Sequence, residues 1–337
     1  MLRRADDPAR SGAEAVRMAL ARSAYERGSV RFRPVPLSGF DHVVASRQGL
    51  FAVCETGHAL IAHGQFFGLT VGNGAIYAFE ACDAVWSPTF RGRLVRLDIG
   101  AGRIARAEVV ADTLDNGCHQ IDFIDDCLCV VDTYNQRIVR FSPDFAERQT
   151  LRPLPAAKLN DWPGGYAHVN SLLQVGDNIL LVLHNGAEHT GRPSAIAVLD
   201  RAWRLSDIWI LPGSGCHNVV VLEDGSLLCC GSQNGELITR ERAVGYVGPM
   251  MTRGLSVDAH GIVVGASHFA AREERFFTTG SVFFLDRQFR LRARLELPGA
   301  PTEVRRLDGN DYSLSALARK DTRFFGRRER EDTRCLG

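Results

Sequence analysis

Short apolar runs separated by glycine, aspartate and asparagine fill the chain from about residue 37 to residue 316. Runs such as CLCVVD at 127–132 and NILLVL at 178–183 have the length of buried strands, and the polar residues between runs are typical of tight turns. Apolar residues at helical spacing are almost absent from this region. The pattern therefore predicts an all-β domain of many short strands.

The apolar runs recur in units of about 40 to 50 residues, each predicted to contain an inner strand, a tight turn, a second strand, a loop and a third strand. Three units begin at His119, His168 and His217, each 49 residues after the one before. The remaining units lack a leading histidine at this position and begin at Asp41, Phe67 and Arg253.

Repeated units of this length predict a β-propeller, because each small sheet buries its two faces only against neighbouring sheets. The stretch LCVVDTYNQRIVRF, residues 128–141, closely resembles an NHL-type blade. This resemblance implies a six-bladed propeller of the NHL and SMP-30-like kind, related to uncharacterised bacterial propellers often found near TPR proteins. The segment after Pro301 resembles the start of a further unit and is expected to close the ring with the N-terminal strands. Six blades result if the two ends merge, and seven if they stay separate.

The sequence divides into an N-terminal extension at 1–36, a propeller at 37–316 and a charged C-terminal tail at 317–337 that is expected to be solvated. The extension is predicted to hold one amphipathic helix from about Gly12 to Arg27, packed on the side of the propeller. Its expected apolar stripe consists of Ala13, Val16, Ala19, Leu20 and Ala24.

Composition narrows the possible functions. The 40 basic and 39 acidic residues give a net charge of +1, so no charge asymmetry favours binding to nucleic acid or to an anionic membrane. No apolar run has the ~18 residues of a membrane span, and the charged N-terminus lacks the apolar core of a signal peptide, which predicts a cytoplasmic protein. With lysine only at Lys158 and Lys320, Schiff-base chemistry has almost no candidates. Nine cysteines without a CxxC pair predict small buried side chains in a reducing compartment.

In a propeller the innermost strand of each blade begins on the face to which the second strand returns, so two sets of residues meet at one mouth of the channel. The starts of the innermost strands supply His119, His168, His217 and Arg253, with Asp41, His42 and Glu303 as weaker members. The ends of the second strands supply Asp132, Tyr134, Asn135, His184, Asn185, Ser232, Gln233, Asn234, Ser267 and His268. Rotation about the propeller axis brings equivalent positions to one radius, so a histidine repeated in register is expected to form a ring.

A ring of neutral imidazoles is well suited to a divalent metal ion, which predicts that His119, His168 and His217 bind one. The residue types do not distinguish Zn, Fe, Mn or Cu. His184 or His268 is the predicted fourth ligand or acid/base group. The other predicted roles are an anion clamp at Arg253, proton transfer at Tyr134, orientation of a histidine at Asp132, and substrate contacts at Tyr166, Asn135, Asn185 and Gln233.

These residues predict a metal-dependent hydrolase, lyase or oxidoreductase that acts on a small anionic substrate or a peptide. The layout resembles that of peptidyl-hydroxyglycine amidating lyase, a six-bladed zinc propeller, although that family spaces its histidines differently. The acidic metal-ligand set of SMP-30 lactonases has no clear counterpart. The alternative is a non-catalytic propeller that binds a peptide or protein partner, with the histidines bonded to neighbouring blades as a structural girdle.

Overall fold

The structure, a computed structural model, describes residues 8–84, 87, 89–155, 165–186, 191–222, 224–270, 274 and 278–309, without the side chains of 8–11. The predicted C-terminal tail at 317–337 lies outside these residues. One helix and 24 strands are present in the described part of the chain. None of its helical residues form a segment long and apolar enough to cross a membrane.

The strands form six antiparallel sheets of four strands, numbered as blades 1 to 6. Blade 1 consists of β1 (His42–Ser46), β2 (Gly49–Cys54), β3 (Gly57–Ala62) and β24 (Pro301–Arg306). Blade 2 consists of β4 (Phe66–Gly72), β5 (Ala75–Ala81), β6 (Gly92–Gly100) and β7 (Arg103–Leu114). Blade 3 consists of β8 (Ile121–Ile124), β9 (Cys127–Asp132), β10 (Arg137–Phe141) and β11 (Arg148–Leu151).

The second half of the ring repeats this arrangement. Blade 4 consists of β12 (Val169–Val175), β13 (Asn178–Leu183), β14 (Ala195–Asp200) and β15 (Leu205–Ile210). Blade 5 consists of β16 (His217–Val221), β17 (Leu227–Gly231), β18 (Glu236–Ile238) and β19 (Ala243–Tyr246). Blade 6 consists of β20 (Met251–Val257), β21 (Ile262–Ser267), β22 (Gly280–Leu285) and β23 (Leu291–Leu297).

The ring is closed by the last strand. Strand β24 is the innermost strand of blade 1 and pairs with β1, so the two ends of the propeller are joined within one sheet. The innermost strands of successive blades contact one another around the whole ring. The predicted six-bladed propeller with a short N-terminal helix is therefore confirmed, and seven blades are excluded because the segment after Pro301 completes the first unit.

Hydrophobic cores separate neighbouring blades, so the inner strands bury both of their faces. In β1, Val43 and Ala45 pack with Phe66 of blade 2, whereas Val44 packs with Phe284 of blade 6. The described residues form one such core at each of the six blade interfaces. Strands buried on both sides have continuous apolar sequences, which explains why the runs show little alternation.

Helix α1 (Pro8–Glu26) lies against blade 2. Polar contacts hold it there: Arg22 forms an ion pair with Asp83 at 2.6 Å, and the Gln65 amide donates to Met18 Sδ at 3.3 Å. Its buried side chains are Met18, Ala21 and Ala24. The predicted apolar stripe is therefore wrong except at Ala24, because Ala13, Val16, Ala19 and Leu20 point to solvent. The buried side instead follows Met18, Ala21 and Ala24, which are spaced three residues apart.

The two faces of the propeller differ in their connections. We call the face on which the innermost strands begin the histidine face, and the other the opposite face. On the histidine face the second strands end and the third strands begin, and in blades 2 and 6 these strand ends are separated by ten and twelve residues, 82–91 and 268–279. On the opposite face, two-residue turns at 125–126 and 176–177 join first to second strands. Long connections on a rigid scaffold are where proteins commonly place functional residues.

Closure by β24 changes the position of two predicted residues. Because β1 is the second strand of blade 1, its start lies on the opposite face, and His42 pairs with Arg306 at the end of β24. The expectation that Asp41 and His42 belong to the histidine mouth is therefore wrong. Glu303, in the innermost strand, remains on the channel axis.

Candidate functional site

The innermost strands of blades 2, 4, 5 and 6 contain a β-bulge near their start. A bulge inserts an extra residue and re-aims the neighbouring side chains. Regular pairing resumes at Leu172 opposite Leu181 in β12 and at Val219 opposite Cys229 in β16, while β8 begins at Ile121. The residue two positions before each of these pairing positions therefore occupies an equivalent place in its blade.

Those equivalent residues are His119, Asn170 and His217, and all three line a small cavity on the propeller axis. His168 lies two residues earlier than the ring position and has a left-handed backbone with φ of 56°. The expectation of three histidines in register is therefore wrong. Seventeen residues, 152–168, join blades 3 and 4, but only six, 211–216, join blades 4 and 5, so equal spacing in sequence does not give equal positions.

Four imidazoles nevertheless lie in a row beside the axis, and we call them the histidine row. Their ring centroids are 5.7 Å apart for His119 and His168, 4.0 Å for His168 and His184, and 4.5 Å for His184 and His217. Three of the rings are buried and His119 is half-buried. The three histidines predicted as metal ligands thus lie in one chain of contacts. His119 contacts His168 directly, and His184 lies between His168 and His217.

Two of these histidines share the same backbone anchor. His119 Nδ1 lies 2.8 Å from the carbonyl oxygen of Gly117, and His217 Nδ1 lies 2.8 Å from that of Gly215. Because a carbonyl only accepts, each Nδ1 is the protonated nitrogen and each Nε2 presents a lone pair. His217 Nε2 is buried without a hydrogen-bond partner among the described residues. This is the arrangement in which a histidine is commonly held for metal binding.

His184 differs because both of its nitrogens are engaged. Its Nε2 lies 2.9 Å from Asn170 Nδ2, and the Asn170 oxygen accepts from Ser171 Oγ at 2.6 Å, which fixes the amide as the donor to His184. The other ring nitrogen donates to the backbone carbonyl of Cys216. The predicted role of His184 as a fourth metal ligand or acid/base group therefore conflicts with its contacts, which make it a structural link in the row.

Three histidines of the histidine row, His119, His184 and His217, are neutral at physiological pH. Burial lowers the pKa of His119, His184 and His217 well below the ordinary histidine value, and the nearby positive charge of Arg253 lowers each further. Arg253 also lines the axial cavity. The site therefore combines imidazole lone pairs with a guanidinium group, as predicted for Arg253.

A buried polar network lies directly beneath the row. The Asn218 amide donates to both oxygens of Glu303 at 2.9 Å, and Asn218 N donates to Ser171 Oγ at 2.9 Å. Arg305 Nη1 donates to Glu303 Oε1 at 2.8 Å, and its Nη2 lies 3.5 Å from Asp122. The Asn218 oxygen accepts from Gly254 N at 2.7 Å, and Thr70 Oγ1 donates to Asp122 at 2.9 Å. These hydrogen bonds, together with the Arg305–Asp122 ion pair, connect all six blades in one polar network.

Sequence reasoning missed most of this network. Asn170, Asn218, Asp122 and Arg305 were not identified, and Glu303 was only a weak candidate. The available signal was that Asn170 and Asn218 follow the unit-leading histidines closely, in HVNS and HNVV. Polar residues inside such apolar strands need partners, and only the closed ring supplies them.

The axial cavity is small. It is lined by His119, His217, Arg253 and Glu303 among others, and its volume is about 10 Å³, which is the space of one water molecule or ion. An organic substrate would therefore sit above the cavity, on the histidine face, and present one group to it.

Blade 3 places its predicted residues in a capped turn. Asp132 is buried, and its two oxygens accept from Asn135 Nδ2 at 2.8 Å and from Arg137 Nε at 2.6 Å. Asp132 therefore caps its own turn and does not orient a histidine as predicted, because both of its oxygens accept these hydrogen bonds. Tyr134 is exposed and its ring covers the backbone of Gly117, next to His119. Asn135 stabilises the same turn through its hydrogen bond to Asp132.

The remaining predicted residues lie on the histidine face but differ in their contacts. The ring centroid of Tyr166 is 5.3 Å from that of His168, and Gln233 packs against the backbone of Gly215 beside His217. Asn185 donates to the Pro193 carbonyl at 2.6 Å, which holds its own loop. His268 is exposed, and none of the ring contacts found among the described residues joins it to the row.

No metal centre is already assembled in the described part of the chain, since no three histidine, cysteine, aspartate or glutamate side chains there are arranged to hold an ion. The Nε2 lone pairs of His119 and His217 are chemically suited to a metal ion. Convergence of the rings on one ion requires rotation of side chains within the row.

No family model and no curated protein sequence matches this chain. A chain of a nidogen/laminin complex is 10% identical, with a TM-score of 0.50, covering 79% of this chain and 100% of that chain. A "putative gluconolactonase" is 13% identical, with a TM-score of 0.50, covering 81% and 88%. A protein of unknown function from Bacteroides caccae is 11% identical, with a TM-score of 0.49, covering 79% and 98%. At these identities the likeness to the first two structures shows the propeller fold alone.

Proposed function

We propose that the histidine face is the site of a metal-dependent enzyme that acts on a small anionic substrate, with His119, His168 and His217 as ligands of a divalent ion. The observation that carries the proposal is the buried, unpartnered Nε2 of His217, whose Nδ1 is fixed by the Gly215 carbonyl. The Nδ1 of His119 is held in the same way by the Gly117 carbonyl, and His119 occupies the ring position next to that of Asn170. Zn, Fe, Mn and Cu all suit imidazole ligands, and the ion would supply Lewis acidity.

The substrate class follows from Arg253. A guanidinium beside neutral imidazoles attracts a carboxylate or another anion, and it binds such groups through two parallel hydrogen bonds. Hydrolysis, elimination of the lyase type and metal-assisted oxidation all remain compatible with this chemistry. We also propose a cytoplasmic location, and we propose kinship with NHL-type and TPR-associated bacterial propellers on the sequence pattern at 128–141.

Metal analysis tests the proposal. Protein purified without a histidine tag should bind about one equivalent of Co²⁺ per chain, with a visible absorption band typical of imidazole ligands. His119→Ala, His168→Ala and His217→Ala should each lose that band, whereas His58→Ala, an exposed position on the outer strand of blade 1, should keep it. A metal content below one equivalent per chain that none of the three substitutions changes would contradict the proposed metal-dependent enzyme.

A second function, binding of a peptide or protein partner, is favoured by the distribution of exposed apolar side chains. Eight large hydrophobic residues of the described chain are exposed. Seven lie on the histidine face or on the helix that contacts it, namely Val16, Leu20, Phe90, Tyr134, Ile210, Tyr246 and Phe269; only Leu291 lies at a strand start on the opposite face. Concentration on one face is typical of an interaction surface, and an extended peptide with apolar side chains fits such a rim.

Matched substitutions separate the two functions. Phe269→Ser should weaken partner or peptide binding, whereas Leu291→Ser, which removes a similarly exposed side chain from the other face, should not. The binding function predicts that a partner identified by cross-linking stays bound after His217→Ala. Equal binding by the Phe269 and Leu291 variants would exclude the apolar rim as the contact surface.

A further inference from the structure

A cleft on the opposite face has no role in the proposed function. It lies between blades 1 and 6, has a volume of about 440 Å³, and is lined by the start of β1, the turn after β2 and the turn before β21. Ligand pockets in proteins commonly have volumes of about 300 to 1,000 Å³. The cleft is therefore large enough for a small organic molecule, unlike the axial cavity.

The floor of this cleft contains His42. Its side chain is 4% exposed, and neither ring nitrogen has a hydrogen-bond partner among the described residues. Its only ring neighbour in the described chain is Phe284, which approaches edge-on with centroids 6.2 Å apart. Buried polar atoms in native proteins are nearly always bonded, so two unmet nitrogens on one ring at a cleft indicate a missing partner.

The charge state of His42 restricts that partner. Burial, with a smaller contribution from Arg306, lowers the His42 pKa to about 4, so the ring is neutral at physiological pH. A neutral imidazole has one donor and one acceptor. A hydroxyl group is complementary to both nitrogens, whereas an anion satisfies only the donor and a cation satisfies only the acceptor.

The arginines of the walls are already paired, and Asp41 adds one exposed carboxylate at the rim. Arg292 lies 2.6 Å from Glu55, and Arg306 forms ion pairs with Asp258 and Asp308. An anion that enters the cleft therefore meets no arginine, among the described residues, that is free of a carboxylate partner. The same pairs, together with the exposed carboxylate of Asp41, present donors and acceptors side by side at the rim.

We infer that this cleft binds a neutral polyhydroxylated ligand of mono- or disaccharide size, with the His42 imidazole donating to one hydroxyl group and accepting from another. The apolar edge of Phe284, with Val263 beside it, suits the carbon-bound hydrogens of a sugar ring. Paired carboxylates and guanidinium groups suit the outward hydroxyls. The inference does not depend on the metal site, because the two lie on different faces.

Histidine NMR on the full-length protein tests this inference. With ¹⁵N-histidine labelling, the His42 signals are assigned by their loss in His42→Gln. Titration with a panel of neutral mono- and disaccharides should shift both ring-nitrogen signals of His42 for at least one sugar. No shift from any sugar, together with persistence of the free-ring signals, overturns the inference, and so does a shift produced equally by acetate or by methylammonium.

Variants locate the binding. His42→Phe should lower the affinity for the sugar that binds by about tenfold, which is the usual effect of losing buried hydrogen bonds. His42→Gln keeps one donor and one acceptor and should retain more affinity, and His58→Gln, an exposed histidine of the same blade, should retain all of it. His217→Ala should leave sugar binding intact, so failure of the metal proposal is distinguishable from failure here. Unchanged affinity in a folded His42→Phe variant also overturns the inference, and so does a larger loss of affinity in His42→Gln than in His42→Phe.

Discussion

The amide of Asn218 donates to both carboxylate oxygens of Glu303 at 2.9 Å, between the innermost strands of blades 5 and 1. Asn218 also accepts from Gly254 N of blade 6, where a Cβ would lie 2.8 Å from the Glu303 carbonyl carbon. Gly254 has φ of 81°, so both its backbone and its lack of a side chain are required there. This contact places a carboxyl group on the axis directly beneath the histidine row.

Glu303 should make stability fall as pH rises. Burial raises the pKa of its carboxyl to about 7, although Arg305 acts against this, compared with 4.5 for an ordinary glutamate. The folded state therefore holds the proton more tightly, and the contribution of Glu303 falls between pH 4.5 and 7 by about 3 kcal/mol. Urea unfolding of Glu303→Gln at pH 5 to 8 should lack this decline. Glu296→Gln, which is exposed, should keep it; identical slopes in both variants would contradict the raised pKa.

His42 should act in the opposite direction. Its pKa is about 4 in the folded protein, against 6.5 for an ordinary histidine, so the unfolded chain binds the proton more tightly. The stability it contributes is present above pH 6.5 and is lost as pH falls toward 4, by about 3 kcal/mol. The histidine row should add acid sensitivity of the same sign, because burial also lowers the pKa of His119, His184 and His217.

Unfolding of His42→Phe between pH 4 and 7 isolates this contribution. The variant should show a shallower loss of stability in acid than the wild type. His260→Phe, an exposed histidine on the same side of the molecule, should follow the wild-type curve. A parallel loss in wild type and His42→Phe would exclude the buried neutral imidazole.

Arg253→Gln should change metal and anion binding in opposite directions. Loss of the positive charge removes repulsion from a divalent cation, so Co²⁺ should bind more tightly. The same change removes the proposed anion clamp, so inorganic phosphate should bind about tenfold more weakly. The pKa of His217 should rise toward its ordinary value, measurable from its C2–H signal. Arg253→Lys keeps the charge and should leave the metal affinity and the His217 pKa near their wild-type values. If Arg253→Gln changed the affinities for Co²⁺ and for phosphate in the same direction, the proposed role of Arg253 would be contradicted.

Arg93 should be essential for attachment of helix α1. It is fully buried, forms an ion pair with Glu80 at 2.8 Å, and donates to the Ala24 carbonyl at 3.1 Å and the Ser29 carbonyl at 2.8 Å. Arg93→Met leaves Glu80 buried without its cation, so the free energy of unfolding should fall by about 3 to 5 kcal/mol. Hydrogen exchange in the helix should increase at the same time.

The comparison for this experiment is Arg91→Met. Arg91 is partly exposed and pairs with Asp83 at 3.0 Å, so its loss should cost less than about 1 kcal/mol. Combining Glu80→Leu with Arg93→Met should recover most of the stability, because no unpaired charge then remains. Similar costs for the two arginine variants would show that burial of Arg93 has no special effect.

The sequence predicted the propeller because its evidence is local and repeated. Each run of apolar residues bounded by turn residues specifies a strand, and the recurrence of such runs specifies a blade. Closure by the segment after Pro301 was also accessible, since a unit without its later strands needs a partner.

The site was predicted only in part. His119 and His217 were found because each leads its unit in the same local context, GCH. In the structure each ring is anchored by the carbonyl of the glycine two residues before it. His168 was placed in the wrong register, because its spacing from the other two hides unequal connections between blades. Asp132 looked available, but both of its oxygens accept hydrogen bonds from residues within five positions of its own.

The sequence by itself determined the all-β blades, their number once the two ends are merged, and two of the histidines on the axis. Tertiary structure alone decided that Asn170 takes the third ring position, that Asn218 meets Glu303, and that His42 lies on the opposite face. The physical reason is that burial on both sides of a strand is encoded within each unit, whereas hydrogen bonds across the channel depend on bulges, connection lengths and ring closure acting together.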